Sequence, residues 1–130
     1  MEREFAKRLI DLWAVSIEFA PNEQFKDWDI KAKLKSWEKT FEVKRDFKSQ
    51  DTGNIVLEIR CNNQPSGIFA SKSDYIIYCL NDNEFYYQDR WELLYRLSDV
   101  AKYKTVWWDW DRAEMYVISK ELLPLLFNKL

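Results

Sequence analysis

Histidine is absent from this chain of 130 residues, and its absence closes several chemistries at once. No Ser-His-Asp triad, imidazole-held zinc or histidine general base can be assembled. Cysteine is nearly as scarce: Cys61 and Cys79 lack metal-motif spacing and read as reduced, largely structural thiols. Gly 2 and Pro 3 leave little material for long flexible loops. No apolar run approaches the length of a membrane span, and the N-terminus lacks a signal-peptide h-region, so a cytoplasmic protein without a membrane partner is expected. A net charge of -2 gives no global pull toward nucleic acid.

What is present argues for a folded globular protein. Hydrophobic residues make up 47% and aromatics 17%, and residues 1–130 read as one domain without repeats, low-complexity segments or a linker. The apolar stripe Phe5, Leu9, Leu12 and Trp13 predicts a helix over residues 2–19, ended by Pro21 and Asn22. Strands follow near 28–35 and 40–46. A turn at Asp51-Thr52-Gly53-Asn54 precedes a third, in which Ile55, Leu57 and Ile59 share a face. After a polar loop from Cys61 to Ser73, the unbroken apolar run Tyr75–Leu80 suits a strand covered on both faces. A short strand at 85–87 leads to Asp89, which is placed to cap a helix over 90–101 that packs through Trp91, Leu94, Tyr95 and Leu97. A hairpin around Asp111-Arg112 and a terminal helix over 121–130, with Pro124 in its first turn, close the chain. This order predicts an α/β fold with a mixed sheet.

Two short segments carry most of the functional information. Trp28-Asp29-Ile30-Lys31-Ala32 and Thr40-Phe41-Glu42-Val43-Lys44 both alternate polar with apolar, so each reads as a strand with one buried face. Paired as a hairpin, they bring Asp29, Glu42 and Lys44 to one side of a sheet. The same residues also suit a cross-strand ion-pair cluster on a solvated face. Asp27 shares the strand parity of Asp29 but lies nearer the loop. Lys31, Lys33 and Lys35 share the face of Asp29 by period two, and with Lys39, Lys44, Arg45 and Lys48 make this quarter of the chain basic. Such lysines serve equally as phosphate contacts or as protection of a sheet edge.

The pattern resembles the PD-(D/E)xK nuclease superfamily, whose core is a helix, three strands, a helix and a further strand. There an Asp opens the second core strand and Glu-x-Lys lies on the third. Asp29 matches the first element and Glu42-Val43-Lys44 the second, while Trp28 stands where a proline is usual. Within the superfamily the chain is most similar to Holliday-junction resolvases and small phage endonucleases. Glu2-Arg3-Glu4, the spacing from Asp29 to Glu42, Thr52-Gly53-Asn54, Pro65-Ser66-Gly67 and Ser73-Asp74-Tyr75 carry that similarity over residues 2–80.

The resemblance implies a restriction-endonuclease-like αβββαβ core with a mixed sheet flanked by helices. It also implies a Mg2+-dependent DNA endonuclease, with Mn2+ able to substitute, acting on branched DNA as a homodimer in a bacterial or phage-infected host cell. Asp29 and Glu42 supply oxygen ligands suited to a hard divalent cation, with the Val43 carbonyl as a further ligand. Lys44 is expected to position water or stabilise transition-state charge rather than to act as a free base. Glu2 falls within the apolar stripe of the first helix, where a metal-water shell would compensate its carboxylate; it equally suits a helix N-terminus. Lys48, Lys72 and Ser66 are the expected nucleic-acid contacts, with Ser71 and Ser73 beside them. Thr52 and Asn54 suit ordinary turn chemistry. Trp107-Trp108-Asp109-Trp110 suits sheet packing or a subunit interface better than base stacking. Other readings are a restriction-type, exonuclease-like or nicking nuclease on ordinary duplex, and a binding module that keeps the fold without cleavage.

Overall fold

The computed structural model describes residues 2–12, 14–35, 37–45, 52–81, 84–100, 102–108 and 110–130, with Lys102, Tyr103 and Trp108 as backbone only. In chain order the elements are α1 (Glu2–Asp11), β1 (Ala14–Phe19), β2 (Ile30–Leu34), β3 (Trp37–Arg45), β4 (Asn54–Cys61), β5 (Gln64–Pro65) and α2 (Gly67–Ala70). They continue with β6 (Tyr75–Asn81), β7 (Glu84–Asp89), α3 (Arg90–Val100), β8 (Lys102–Trp108), β9 (Asp111–Ser119), a 3-10 turn (Lys120–Leu122), α4 (Leu123–Leu126) and β10 (Asn128–Lys129). A six-stranded sheet has the order β1-β2-β3-β6-β7-β10, and a four-stranded sheet the order β5-β4-β9-β8. The larger sheet is mixed: β3 runs parallel to β6 at its centre, and its other pairs are antiparallel.

Strand β6 explains how the layers stack. Ile77 and Cys79 point into one core, formed with Phe5, Ala6 and Leu9 of α1 and with Ile30, Ala32, Phe41 and Val43. Ile76 and Tyr78 point into the other, formed with Ile55, Leu57 and Ile118 of the smaller sheet and with Leu93, Leu97 and Leu126 of the helices. Alternation therefore gives β6 two buried faces, as its unbroken apolar run predicts. Each fully buried aliphatic side chain adds roughly 1.5–3 kcal/mol over an exposed one.

Helix α1 stops at Asp11, well short of the expected residue 19. The segment Ala14–Phe19 instead pairs with β2, Ile17 opposite Ala32 and Phe19 opposite Ile30. Its β-branched residues and alternation suit a strand, and ladder pairing outweighs the continued apolar spacing. Trp13 lies outside the described residues. The extra strand has a consequence for the site: Asp29 now leads into the second strand and Glu42 lies on the third. A helix, three strands, a helix and a strand follow in that order as α1, β1–β3, α2 and β6, but β4 and β5 intervene before α2, which is a single turn.

Three other expectations change. The Ile55–Ile59 strand is not part of this meander but pairs with β9 in the second sheet. The loop from Cys61 to Ser73 contains β5 and the one-turn α2. The terminal helix shrinks to Leu123–Leu126, with Pro124 in its first turn. There Gln88 Nε2 donates to the Leu126 carbonyl at 2.9 Å, and Asn128 and Lys129 join β7. Helix α3 is capped as expected, Glu92 N donating to Asp89 Oδ1 at 3.0 Å. Its packing face is Leu93 and Leu97, whereas Trp91 and Tyr95 are exposed.

Candidate active site at the end of β3

Ile30 pairs with Phe41 across β2 and β3, so Asp29, one residue earlier, comes opposite Glu42. Two bonds fix it there. Asp29 N donates to the Phe41 carbonyl at 2.9 Å, and Val43 N donates to Asp29 Oδ2 at 2.8 Å. Glu42 and Lys44 lie two residues apart on one face of β3, and Lys44 Nζ lies 2.8 Å from Glu42 Oε2. The Glu42 side chain keeps 12% of its exposure and that of Lys44 32%. The sheet thus brings together all three residues that the alternation pointed to.

Their electrostatics are unbalanced. Burial pushes the Asp29 carboxyl up from 3.8 to about 6, and the neighbouring Glu42 carboxylate adds to the rise. The Val43 N–H and the Lys44 ammonium oppose it without cancelling it. Glu2, on the first turn of α1, is near enough to add a smaller upward push. Among the described residues, no group of three or more His, Cys, Asp or Glu side chains is gathered as for a metal ion.

The remaining candidates are spread more widely. Asp27 faces away from this pair: its carbonyl accepts from Lys72 N at 2.8 Å, and its carboxylate lies 3.8 Å from Lys72 Nζ. Lys72 is therefore exposed beside Asp27 rather than beside Glu42. Ser66 Oγ donates to Glu58 Oε2 at 2.8 Å. Ser71 and Ser73 are buried and joined by a hydroxyl bond of 2.8 Å. Asn54 N donates to Thr52 Oγ1 at 3.2 Å, the expected turn chemistry. Lys35 has left-handed backbone (φ 47) just beyond β2, so it does not continue the lysine face. Lys48 lies outside the described residues. Trp107 is exposed rather than packed into a sheet, and Trp110 is almost entirely exposed.

A cleft of about 470 Å³ adjoins Lys44 and brings in Glu58, Gly67, Val106 and Met115. Glu58, on β4 of the second sheet, shares this cleft with Lys44, a neighbour that the alternation of its own strand does not give. Gly67 is required there: φ is +50, and a Cβ would sit 2.3 Å from the Glu58 carbonyl oxygen. A larger hollow of about 560 Å³ lies below α1, lined by Phe5, Leu9, Phe41, Tyr75, Trp37 and Lys35 among others, with no carboxylate side chain. Among the described residues, Lys35 is the one charged side chain in that lining.

The whole is an α/β fold: a mixed sheet with a central parallel pair, flanked by helices, with two acids and a lysine side by side at one end of β3. A bacterial homing endonuclease, I-Ssp6803I, is similar in structure, with a TM-score of 0.52 over 68% of this chain and 63% of that one. At 16% sequence identity the likeness is one of fold, and it spans less than two thirds of the neighbour's chain. No family profile matches the chain, and no curated protein matches it in sequence.

Proposed function

We propose that this chain is a metal-dependent DNA endonuclease with its active site at Asp29, Glu42 and Lys44. The observation that carries this reading is the convergence of Asp29, Glu42 and Lys44 at one end of β3, where burial first and the facing Glu42 carboxylate second push the Asp29 carboxyl up to about 6. A half-buried acid facing a buried one destabilises a fold and suits a site that takes up a cation. The donor set is all oxygen, as magnesium prefers, and nuclease sites use one or two carboxylates completed by water and substrate phosphate. Asp29 and Glu42 would hold the ion. The Val43 carbonyl is a further candidate, since the N–H and C=O of a strand residue face the same neighbour and its N–H meets Asp29. Glu2 would act from outside, through water. Bound there, Mg2+ or Mn2+ would supply charge neutralisation and a more acidic water.

The residues themselves have separate tasks. The Val43 N–H occupies Asp29 Oδ2 and so fixes the direction of Oδ1. Glu42 holds the Lys44 ammonium at 2.8 Å, which leaves further N–H donors for a phosphate oxygen or the attacking water. The fold shared with a homing endonuclease supports DNA as substrate. Preference for branched DNA and assembly as a homodimer rest on the sequence resemblance.

The test is cleavage of four-way junction, flap, duplex and single-stranded DNA with Mg2+ or Mn2+, then with EDTA. Cutting that needs the metal and disappears in Asp29→Ala and Lys44→Ala is expected, and cutting that survives either substitution refutes the assignment. Tight junction binding without any cutting marks a binding module instead. Sedimentation reads the oligomeric state.

A further inference from the structure

Three arginines on the far side of α2 each lie against an aromatic ring. The Arg112 guanidinium lies 5.9 Å from the Trp107 ring centroid, that of Arg60 5.4 Å from Phe69, and that of Arg90 5.1 Å from Trp91. The pairs are physically linked. Glu114 bridges Arg60 and Arg112 at 3.2 and 3.3 Å. Arg90 donates to the Ile68 and Phe69 carbonyls at 2.8 and 3.0 Å. The result is one stripe running from the β8–β9 hairpin across α2 to the start of α3. Its two end rings, Trp107 and Trp91, are 69% and 74% exposed. Fixed guanidiniums beneath exposed indoles keep those rings in place.

We infer that this stripe is a stacking platform for an unpaired strand of nucleic acid. The chemistry points to that partner. Exposed rings accept any base face, and guanidiniums contact phosphates and stack on bases. The three guanidiniums offer cationic contacts to an anionic polymer, although Glu114 and other carboxylates lie beside them. The stripe is also continuous with the cleft: Gly67 lines the cleft beside Lys44, and Phe69 of the same helical turn carries Arg60. A strand stacked on Trp91 and Trp107 would therefore lead toward Lys44. This inference rests on the nuclease reading and names its substrate class: DNA with an unpaired segment beside the cut.

The experiment measures anisotropy of a fluorescein-labelled oligothymidylate, and of a matched duplex, in EDTA so that nothing is cut. It uses the intact protein, Trp91→Ala, Trp107→Ala, the double variant and Lys44→Ala. Both indoles are exposed, and circular dichroism checks that the variants keep their fold. Each indole substitution should weaken single-strand binding about five- to a hundred-fold, while duplex binding stays unchanged. Lys44→Ala should keep most single-strand binding and lose cutting in Mg2+. Unchanged single-strand affinity in the double variant overturns the platform, and a changed sedimentation coefficient in that case assigns the rings to a protein interface. If the intact protein cuts nothing in Mg2+ while ring-dependent binding persists, the nuclease reading fails and the platform stands.

Discussion

Two charged clusters in this protein have the same arithmetic with opposite sign, and they are wired differently. Arg60, Arg112 and Glu114 are two cations and one anion, with the anion between them and bonded to both at 3.2 and 3.3 Å. Asp29, Glu42 and Lys44 are two anions and one cation, but Lys44 lies against Glu42, at 2.8 Å, and not between the two acids. Burial first and the Glu42 carboxylate second raise the Asp29 carboxyl to about 6, and the Val43 N–H and the Lys44 ammonium offset only part of the rise. A closed circuit of charges is what a scaffold needs. An unbalanced one persists only where the surrounding fold enforces it, and such imbalance marks functional sites. The contrast separates the cluster that holds rings in place from the one expected to do chemistry.

Removing the odd charge from each cluster should sharpen that contrast. Lys44→Ala should lower the single-turnover rate of DNA cutting about 10²- to 10³-fold, while a urea melt changes little because the ammonium is partly exposed. A large fall in stability with cutting intact would reverse the assignment of the two clusters.

Glu114→Gln should do the opposite. It removes the charge between two arginines at a nearly buried position, and breaking a partly buried pair should cost about 1–3 kcal/mol in denaturant unfolding. Cutting by the folded fraction should remain. Gly67→Ala should fall in the same range, because the added methyl meets the Glu58 carbonyl and the backbone is left-handed. A rise in stability there would mean that the chain around Ser66 relaxes.

Alternation made the first cluster legible and left the second invisible. In Thr40–Lys44 a period of two assigns Glu42 and Lys44 to one face without reference to partners, and Asp29 follows once the strands pair. Glu114, Arg60 and Arg112 meet only because β4 pairs with β9 in a second sheet, and alternation gives a face but no neighbour. The same gap placed Ile55–Ile59 in the wrong sheet. Helix α1 was over-extended because Ile17 and Phe19 continue an apolar pattern that spacing alone does not end, whereas pairing with β2 does. Trp91, Leu94, Tyr95 and Leu97 form the packing face that the sequence suggests for this helix; the exposure of Trp91 follows from how α3 lies on the core through Leu93 and Leu97.

The smallest effect is also the one of opposite sign. A carboxyl at about 6 in the folded protein, against 3.8 ordinarily, binds its proton more tightly folded than unfolded. Its contribution to stability is therefore complete below about pH 4 and is lost as pH rises through about 6. Asp29→Asn keeps an oxygen for the Val43 N–H and has no charge to lose. In EDTA it should match the native chain near pH 3.5 and exceed it at pH 7.5. Two pH units correspond to about 3 kcal/mol, and partial solvent exposure should reduce this to about 1 kcal/mol. Added Mg2+ should then stabilise the native chain at pH 7.5 and leave Asp29→Asn unmoved, if the two acids share an ion. Urea melts across that range, run beside Glu114→Gln, would show one cluster gaining from a lost charge while the other suffers. Equal losses in both would mean that Asp29 and Glu42 form an ordinary structural ion-pair network and that the site lies elsewhere.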